Sequence, residues 1–275
     1  MGSEVQVPAA ERTVAILRYL AARSGPVTAG EIGRELAIPR SSLYHLLTAL
    51  EEHGLVAHLS PPGRYQLGIA AFELGSAYQR QTGLERAGRA LVAGLVRQTG
   101  HTGHLGILDG TEVVYLVRED PPRRQPSAPD VGVRLPAHLT AAGRCLLAGR
   151  PLLPVETTYP HHTARVTRTD RGPLGLTGLR HQLVLDRRRG WSMEDGELTA
   201  GLTSIAAATR GRPTHRAAAI AVTFPSGQLD EAATNELAGQ VVAAAGLLDA
   251  RLDHSWQEQE QGQEQGQGQQ QEPPP

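Results

Sequence analysis

The spacing of apolar residues divides the chain into segments of different period. Between residues 10 and 23 it is helical, with Val14, Leu17, Leu20 and Ala21 on one face. Ile16 and Tyr19 make a second, smaller apolar patch, which reads equally as core or as a contact with another copy of the chain. Ser24-Gly25-Pro26 ends this helix. Thr28-Ala29-Gly30-Glu31 has the form of a capping box, in which the Thr28 hydroxyl and the Glu31 carboxylate each satisfy a backbone N–H of the first turn. The short helix that follows carries Ile32 and Leu36 one turn apart and breaks at Ala37-Ile38-Pro39. Leu43, Leu46, Leu47 and Leu50 then form one apolar stripe on a third helix, which stops at Gly54. Leu55–Leu59, the turn Ser60–Gly63 and Arg64–Gly68 predict a β-hairpin.

Two short helices joined by a tight turn and followed by a hairpin form the pattern of a winged helix-turn-helix. Arg40, Ser41, Ser42, Tyr44, His45 and Thr48 lie off the leucine stripe and crowd the start of the second of these helices, where a recognition helix meets base edges and phosphates. Arg64 and Tyr65 on the hairpin and Thr28 at the preceding helix start complete the candidate DNA contacts. The competing reading is a solvated face of an ordinary helix. The domain is expected over residues 8–67, followed by an amphipathic, Pro-free linker helix over 68–83.

Residues 84–252 interleave helical and strand patterns. Leu84, Ala87, Leu91 and Leu95 share one side of a helix over 84–98, and His101–Leu108, Asp109-Gly110 and Thr111–Arg118 read as a hairpin. A Pro- and Arg-rich loop follows over 119–130, and Thr140 is placed to cap a helix over Ala141–Ala148. Further helices are expected over 176–189 and 229–252, with strands over 203–209 and 216–223 flanking Gly211-Arg212-Pro213. Hairpins mixed with helices predict an α+β domain with an antiparallel sheet. Residues 253–275 are rich in Gln, Glu, Gly and Pro and read as a disordered tail.

Composition narrows the function. The 275 residues suit two domains, no apolar run is long enough to span a membrane, and the N-terminus lacks the form of a secretory signal, so a cytoplasmic protein is the expectation. Every one of the 27 basic residues is Arg. Net charge is −1, and residues 1–80 hold seven Arg against seven Glu, so DNA binding must rest on placement rather than bulk charge. Cys145 is the only cysteine, which excludes an intrachain disulfide. Cys145 with His138 or His104 would be the pair for thiol catalysis, but its position in a helical apolar pattern reads as buried core. His101, His104, His161 and His162 lack the spacing of a metal site, and no cofactor is expected.

The stretch IPRSSLYHLLTALEEHGLVAHLSPPGRYQLG resembles the recognition helix and wing of the IclR family. GVRLPAHLTAAGRCLLAG, LRHQLVLDRRRGWSMEDGELTAGLTSIAAATR and AAAIAVTFPSGQL resemble, in order, that family's stretches around its effector pocket. His45 stands where the family usually has Arg, and Ser204 where it frequently has Cys. The resemblance implies a ligand-responsive transcriptional regulator with a GAF-like effector domain over 84–252, acting as a homodimer or dimer of dimers on double-stranded operator DNA. From the residues themselves, Ala141, Ala142 and Gly143 leave backbone N–H groups open at a helix start, a site for a carboxylate. By position, the resemblance adds Arg124, Ser127, Leu135, Glu194, Leu202, Ser204, Ala221 and Thr223 as pocket wall. The expected effector is a small organic acid.

Overall fold

The computed structural model describes residues 7–61, 63–122, 128–150, 168–173, 175–211 and 216–268, with side chains through His254 apart from Gln81 and Thr82. Contacts divide the chain into two units, Met1–Gln81 and Thr82–Pro275.

In the first unit α1 spans Pro8–Ala21, α2 Ala29–Glu35 and α3 Arg40–Glu52. The hairpin is β2 (Val56–Leu59) with β3 (Arg64–Leu67), and α4 (Ile69–Thr82) follows where the linker helix was expected. A two-residue strand, β1 (Val27–Thr28), was not anticipated; it pairs with β3, Val27 opposite Tyr65 and Thr28 opposite Arg64. The Thr28–Glu31 capping box forms as expected. One core holds the unit together. It is made by Ile16 and Leu20 of α1, Ile32 of α2, the stripe Leu43, Leu47 and Leu50 of α3, and Val56 and Tyr65 of the hairpin.

For α1 one open alternative is decided and one expectation changes. Ile16 is fully buried and belongs to that core, whereas Val14, expected to face inward, is about half exposed at 49%. Apolar residues surround this helix so evenly that the spacing left its phase open. Tyr19 is partly buried, with the Arg23 guanidinium 4.4 Å from its ring centroid.

The second unit is α+β. Its antiparallel sheet has six strands in the order β6-β5-β4-β9-β8-β7. The strands are β4 (Thr102–Asp109), β5 (Glu112–Glu119), β6 (Arg134–Pro136), β7 (Ser192–Asp195), β8 (Leu202–Ala208) and β9 (Ala218–Pro225). On one face α5 (Leu84–Thr99) and α8 (Glu231–Gly268) enclose Leu105, Ile107, Ile220 and Val222. On the other, α6 (Ala141–Ala148) and α7 (Gly175–Arg189) cover Leu108, Ala219 and Ala221. Central strands β4 and β9 are thus covered on both faces and read as near-continuous runs of apolar or small residues.

A 3-10 turn, Ala137–Leu139, leads into α6. The approach is close: a Cβ on Gly143 would lie 2.2 Å from the Ala137 carbonyl oxygen, so only glycine fits there. The expected disordered tail does not begin at 253, because α8 continues as helix to Gly268. Gln and Glu are good helix formers, and the first proline of the tail is Pro273. Arg212 and Pro213 of the expected turn lie outside the described residues.

Candidate nucleic-acid interface and ligand pocket

The candidate interface in the first unit is α3 and the hairpin. Burying the leucine stripe fixes the opposite face outward, so Arg40, Ser41, Tyr44, His45 and Thr48 are exposed and Ser42 is half-buried. The Arg40 guanidinium stands over the Tyr44 ring, 5.8 Å from its centroid. Whereas α2 has its capping box, α3 has no side-chain cap: its N-cap is Pro39. The N–H groups of its first turn, that of Arg40 among them, therefore have no side-chain cap. An anion fits such a place.

The hairpin contributes Arg64, exposed, with one guanidinium N–H donated to the Pro26 carbonyl at 3.0 Å. That bond ties the hairpin to the start of α2 and leaves other N–H groups free to meet a phosphate. Thr28 is half-buried, and its hydroxyl is engaged by Glu31. Tyr65, expected at the interface, turns inward instead. It is 7% exposed and stacks on His58 with centroids 4.5 Å apart. The alternation along β3 dictates this, since Arg64 and Gln66 face out.

In the second unit, seven of the residues expected in a pocket line a single cavity: Ala141, Ala142, Glu194, Leu202, Ser204, Ala221 and Thr223. Tyr115, Pro129, Thr140, Leu198 and Thr199 complete the wall; of these the sequence had singled out only Thr140, as the cap of α6. Leu135 is not in that wall; it is buried in the adjoining core, where β6 pairs it with Val113. Arg124 and Ser127 lie outside the described residues. The space is about 360 Å³ including its mouth, and inside it has room for little more than one water molecule.

Its polar groups form a connected set. Glu194 is 2% exposed. Its Oε2 accepts the backbone N–H groups of Glu197 (3.1 Å) and Leu198 (3.4 Å), and its Oε1 accepts the Ser204 hydroxyl at 2.9 Å. Ser204 Oγ is in turn 3.0 Å from Thr223 Oγ1. Burial raises the Glu194 carboxyl to about 7, opposed by its hydrogen bonds from Ser204, Leu198 and Glu197 and assisted by the nearby Glu197 charge. At the start of α6, the Thr140 hydroxyl accepts the Gly143 N–H at 3.0 Å, so Gly143 is capped and the expected open donors reduce to those of Ala141 and Ala142.

Beneath the cavity lies a buried ionic cluster. Arg144, 1% exposed, donates to Glu197 Oε2 at 2.7 Å and to the Met193 carbonyl, and its Nε stands 3.9 Å from Asp186 Oδ2. Asp186 also accepts from Gln182, Arg189 and Ser192. The cluster fixes α6 and α7 to the turn that carries Glu197 and Leu198.

His161 and His162 lie outside the described residues. Cys145 is buried, and burial pushes its thiol far above the ordinary range, which leaves it unreactive. Burial likewise holds His104 neutral, at about 4. Among the described residues no group of three His, Cys, Asp or Glu is placed to hold a metal, and no helix is long and apolar enough to cross a membrane.

The chain matches two family models: the IclR helix-turn-helix domain over residues 9–60 and the bacterial transcriptional regulator IclR C-terminal domain over residues 76–250. It is 30% identical over 241 residues to the HTH-type transcriptional regulator BhcR of Paracoccus denitrificans, covering 87% of this chain and 85% of that one. It is 25% identical over 242 residues to the transcriptional repressor IclR of Escherichia coli, covering 87% and 88%. Among solved structures, an IclR homolog from Microbacterium hydrocarbonoxydans complexed with 4-hydroxybenzoate superposes with a TM-score of 0.75 at 23% identity, over 90% of this chain and 99% of that one.

Proposed function

Because the chain belongs to the IclR family of bacterial transcriptional regulators, with a helix-turn-helix and a C-terminal effector domain, we propose that it binds operator DNA through α3 and its wing and releases or rearranges on that DNA when a small organic acid enters and widens the cavity at the start of α6. The observation that carries the DNA part is the uncapped start of α3, flanked by exposed Arg40, Ser41, Tyr44, His45 and Thr48. For the ligand part it is the convergence of one small cavity, two open N–H groups and a hydroxyl pair on Ala141, Ala142, Ser204 and Thr223. A carboxylate bearing a hydroxyl, keto or amino group suits this wall: the helix N–H groups and the Ser204–Thr223 hydroxyl pair take the carboxylate and the second polar group, with Glu194 behind that pair. The ligand named for the Microbacterium homolog, a hydroxylated carboxylate, has this chemistry.

A neutral head with one short recognition helix binds weakly alone, so the protein acts as a homodimer or dimer of dimers on half-sites spaced by about 34 Å or a small multiple of it. Apolar Val14 on α1 and Ile69, Phe72, Leu74 and Tyr78 on α4 are exposed and offer the surface for pairing.

Gel-shift titration on the protein's own promoter fragment tests the reading. Arg40→Ala should weaken specific binding by about 1–3 kcal/mol if it contacts a base. Arg64→Ala should weaken binding across all sequences and flatten its salt dependence. If both variants bind as the unaltered protein does at moderate salt, the interface lies elsewhere.

A further inference from the structure

We propose that the cavity takes up its carboxylate ligand together with one proton, which Glu194 accepts and the Ser204–Thr223 hydroxyl pair answers by reversing its hydrogen bonds. This rests on the cavity being the effector site and adds how that site recognises an anion despite containing a carboxylate.

The geometry sets the choices. Glu194 Oε2 is already occupied by two backbone N–H donors, so a proton goes to Oε1, the oxygen 2.9 Å from Ser204 Oγ. When Glu194 is ionised, Ser204 must donate to Oε1. Thr223 then donates to Ser204 and turns only acceptor lone pairs toward the cavity, beside a negative carboxylate. An anion is repelled from such a site. When Glu194 is protonated, Oε1–H donates to Ser204, Ser204 donates to Thr223, and the Thr223 hydroxyl is released to donate into the cavity. The chain has two hydroxyls and can run only one way at a time, so the charge on Glu194 decides whether its far end gives or accepts. Ser204 is Thr223's hydrogen-bond partner, and both line the cavity.

The surroundings favour the exchange near neutral pH. From β5, Tyr115 faces Glu194, and burial raises its phenol, so it stays neutral. From α6 come Cys145, also neutral by burial, and Arg144, which is committed to Glu197 and the Met193 carbonyl. From the β7–β8 turn comes Glu197, whose charge disfavours ionisation of Glu194. On α7, Asp186 sits against Arg144 and Arg189. From β4, His104 is neutral and packs edge-on to Tyr115. Strands β8 and β9 present only hydroxyls and apolar groups here. No cation among the described residues bonds to Glu194 directly, and its midpoint of about 7 leaves both protonation states accessible.

Isothermal titration calorimetry of the full-length protein tests this. The probes are acetate, pyruvate and 4-hydroxybenzoate, at pH 6 to 9 in buffers of different ionisation enthalpy. Binding should take up roughly half a proton at pH 7 and close to one at pH 8, and affinity should fall about tenfold per pH unit above 7. Glu194→Gln keeps an amide donor toward Ser204, so it should bind with no proton uptake and a flat pH profile. Thr223→Val should lose the anion at pH 6, and Thr223→Ser should regain it. Binding without proton uptake overturns the relay while leaving the effector reading intact, as does a Thr223→Val protein that binds normally. Failure of acetate to bind at pH 6 also overturns it, because the relay demands affinity for the bare carboxylate. Binding unchanged by Ala141→Leu overturns the pocket itself.

Discussion

Replacing Arg144 with Met keeps an unbranched apolar stem and removes the guanidinium with its charge and donors, so the variant tests what the buried cluster contributes. Two carboxylates are affected unequally. Asp186 keeps Gln182 at 2.9 Å and Arg189 and Ser192 at 2.7 Å each. Glu197 loses the guanidinium at 2.7 Å. Removing one partner of a buried pair costs about 3–5 kcal/mol, and the surviving donors to Asp186 place this case at the lower end, about 3 kcal/mol. For a unit of this size that lowers the melting temperature by roughly 6–12 °C. The pH dependence carries the cause. Burial already pushes the Glu197 carboxyl up and Arg144 holds it down, so without Arg144 it rises further. Above the ordinary carboxylate range the variant's native state then holds a proton that the unfolded chain has released, and its stability falls as pH rises. The deficit should be larger at pH 8 than at pH 5. Differential scanning calorimetry of the full-length protein at both values measures it. A melting temperature within about 1 °C of the parent, or a deficit that grows in acid, would refute the assignment of Arg144 as the charge that holds this turn.

Ala37 sits at φ 51°, in the left-handed region, between α2 and α3. Ala37→Gly should stabilise the first unit by about 1 kcal/mol in thermal unfolding, and a loss of stability would contradict the strain. Ala141→Leu should fill the cavity, abolish calorimetric binding of small carboxylates and leave promoter binding unchanged by gel shift. Glu194 has its folded-state midpoint raised from 4.5 to about 7, so its contribution to stability declines as pH rises through that window. Glu194→Gln should therefore match the parent near pH 4 and exceed it by on the order of 3 kcal/mol at pH 8 in urea unfolding; equal stability at both ends would show that the carboxyl is not perturbed.

Much of the first unit was legible because its signals are local. The Thr28–Glu31 box, the break at Pro39 and the leucine stripe of α3 each act within one or two turns. Where several faces competed, as on α1, the chain gave the helix but not its orientation: Ile16, open between core and contact, is core, and Val14, read as inward, is half exposed. The inward Tyr65 could have been read from the alternation of β3, with Arg64 and Gln66 on the other side. Strands β1, β6 and β7 are two, three and four residues long, too short to show a period, and exist because longer neighbours pair with them. The cavity was legible through resemblance more than through pattern. Glu194 lies in an acidic stretch, Met193-Glu194-Asp195-Gly196-Glu197, that looks like a solvated turn until the sheet buries it. Tyr115 and Thr199 reach the cavity only through sheet pairing and a turn, contacts that no local window holds.

The bare start of α3 has a consequence for how the head behaves before it meets DNA. A helix without a side-chain cap frays from that end, and a good cap is worth about 1 kcal/mol. If a phosphate supplies the missing acceptor, part of the head's folding is completed by the operator rather than by the protein. The first-turn amides of Arg40, Ser41 and Ser42 would then exchange with solvent readily in the free protein and slow down on DNA by more than the leucine-anchored turns behind them. Recognition in that case tightens a loose helix end as well as bringing side chains to bases, and a sequence that displaces the phosphate by a fraction of a turn would be rejected for leaving that end untied.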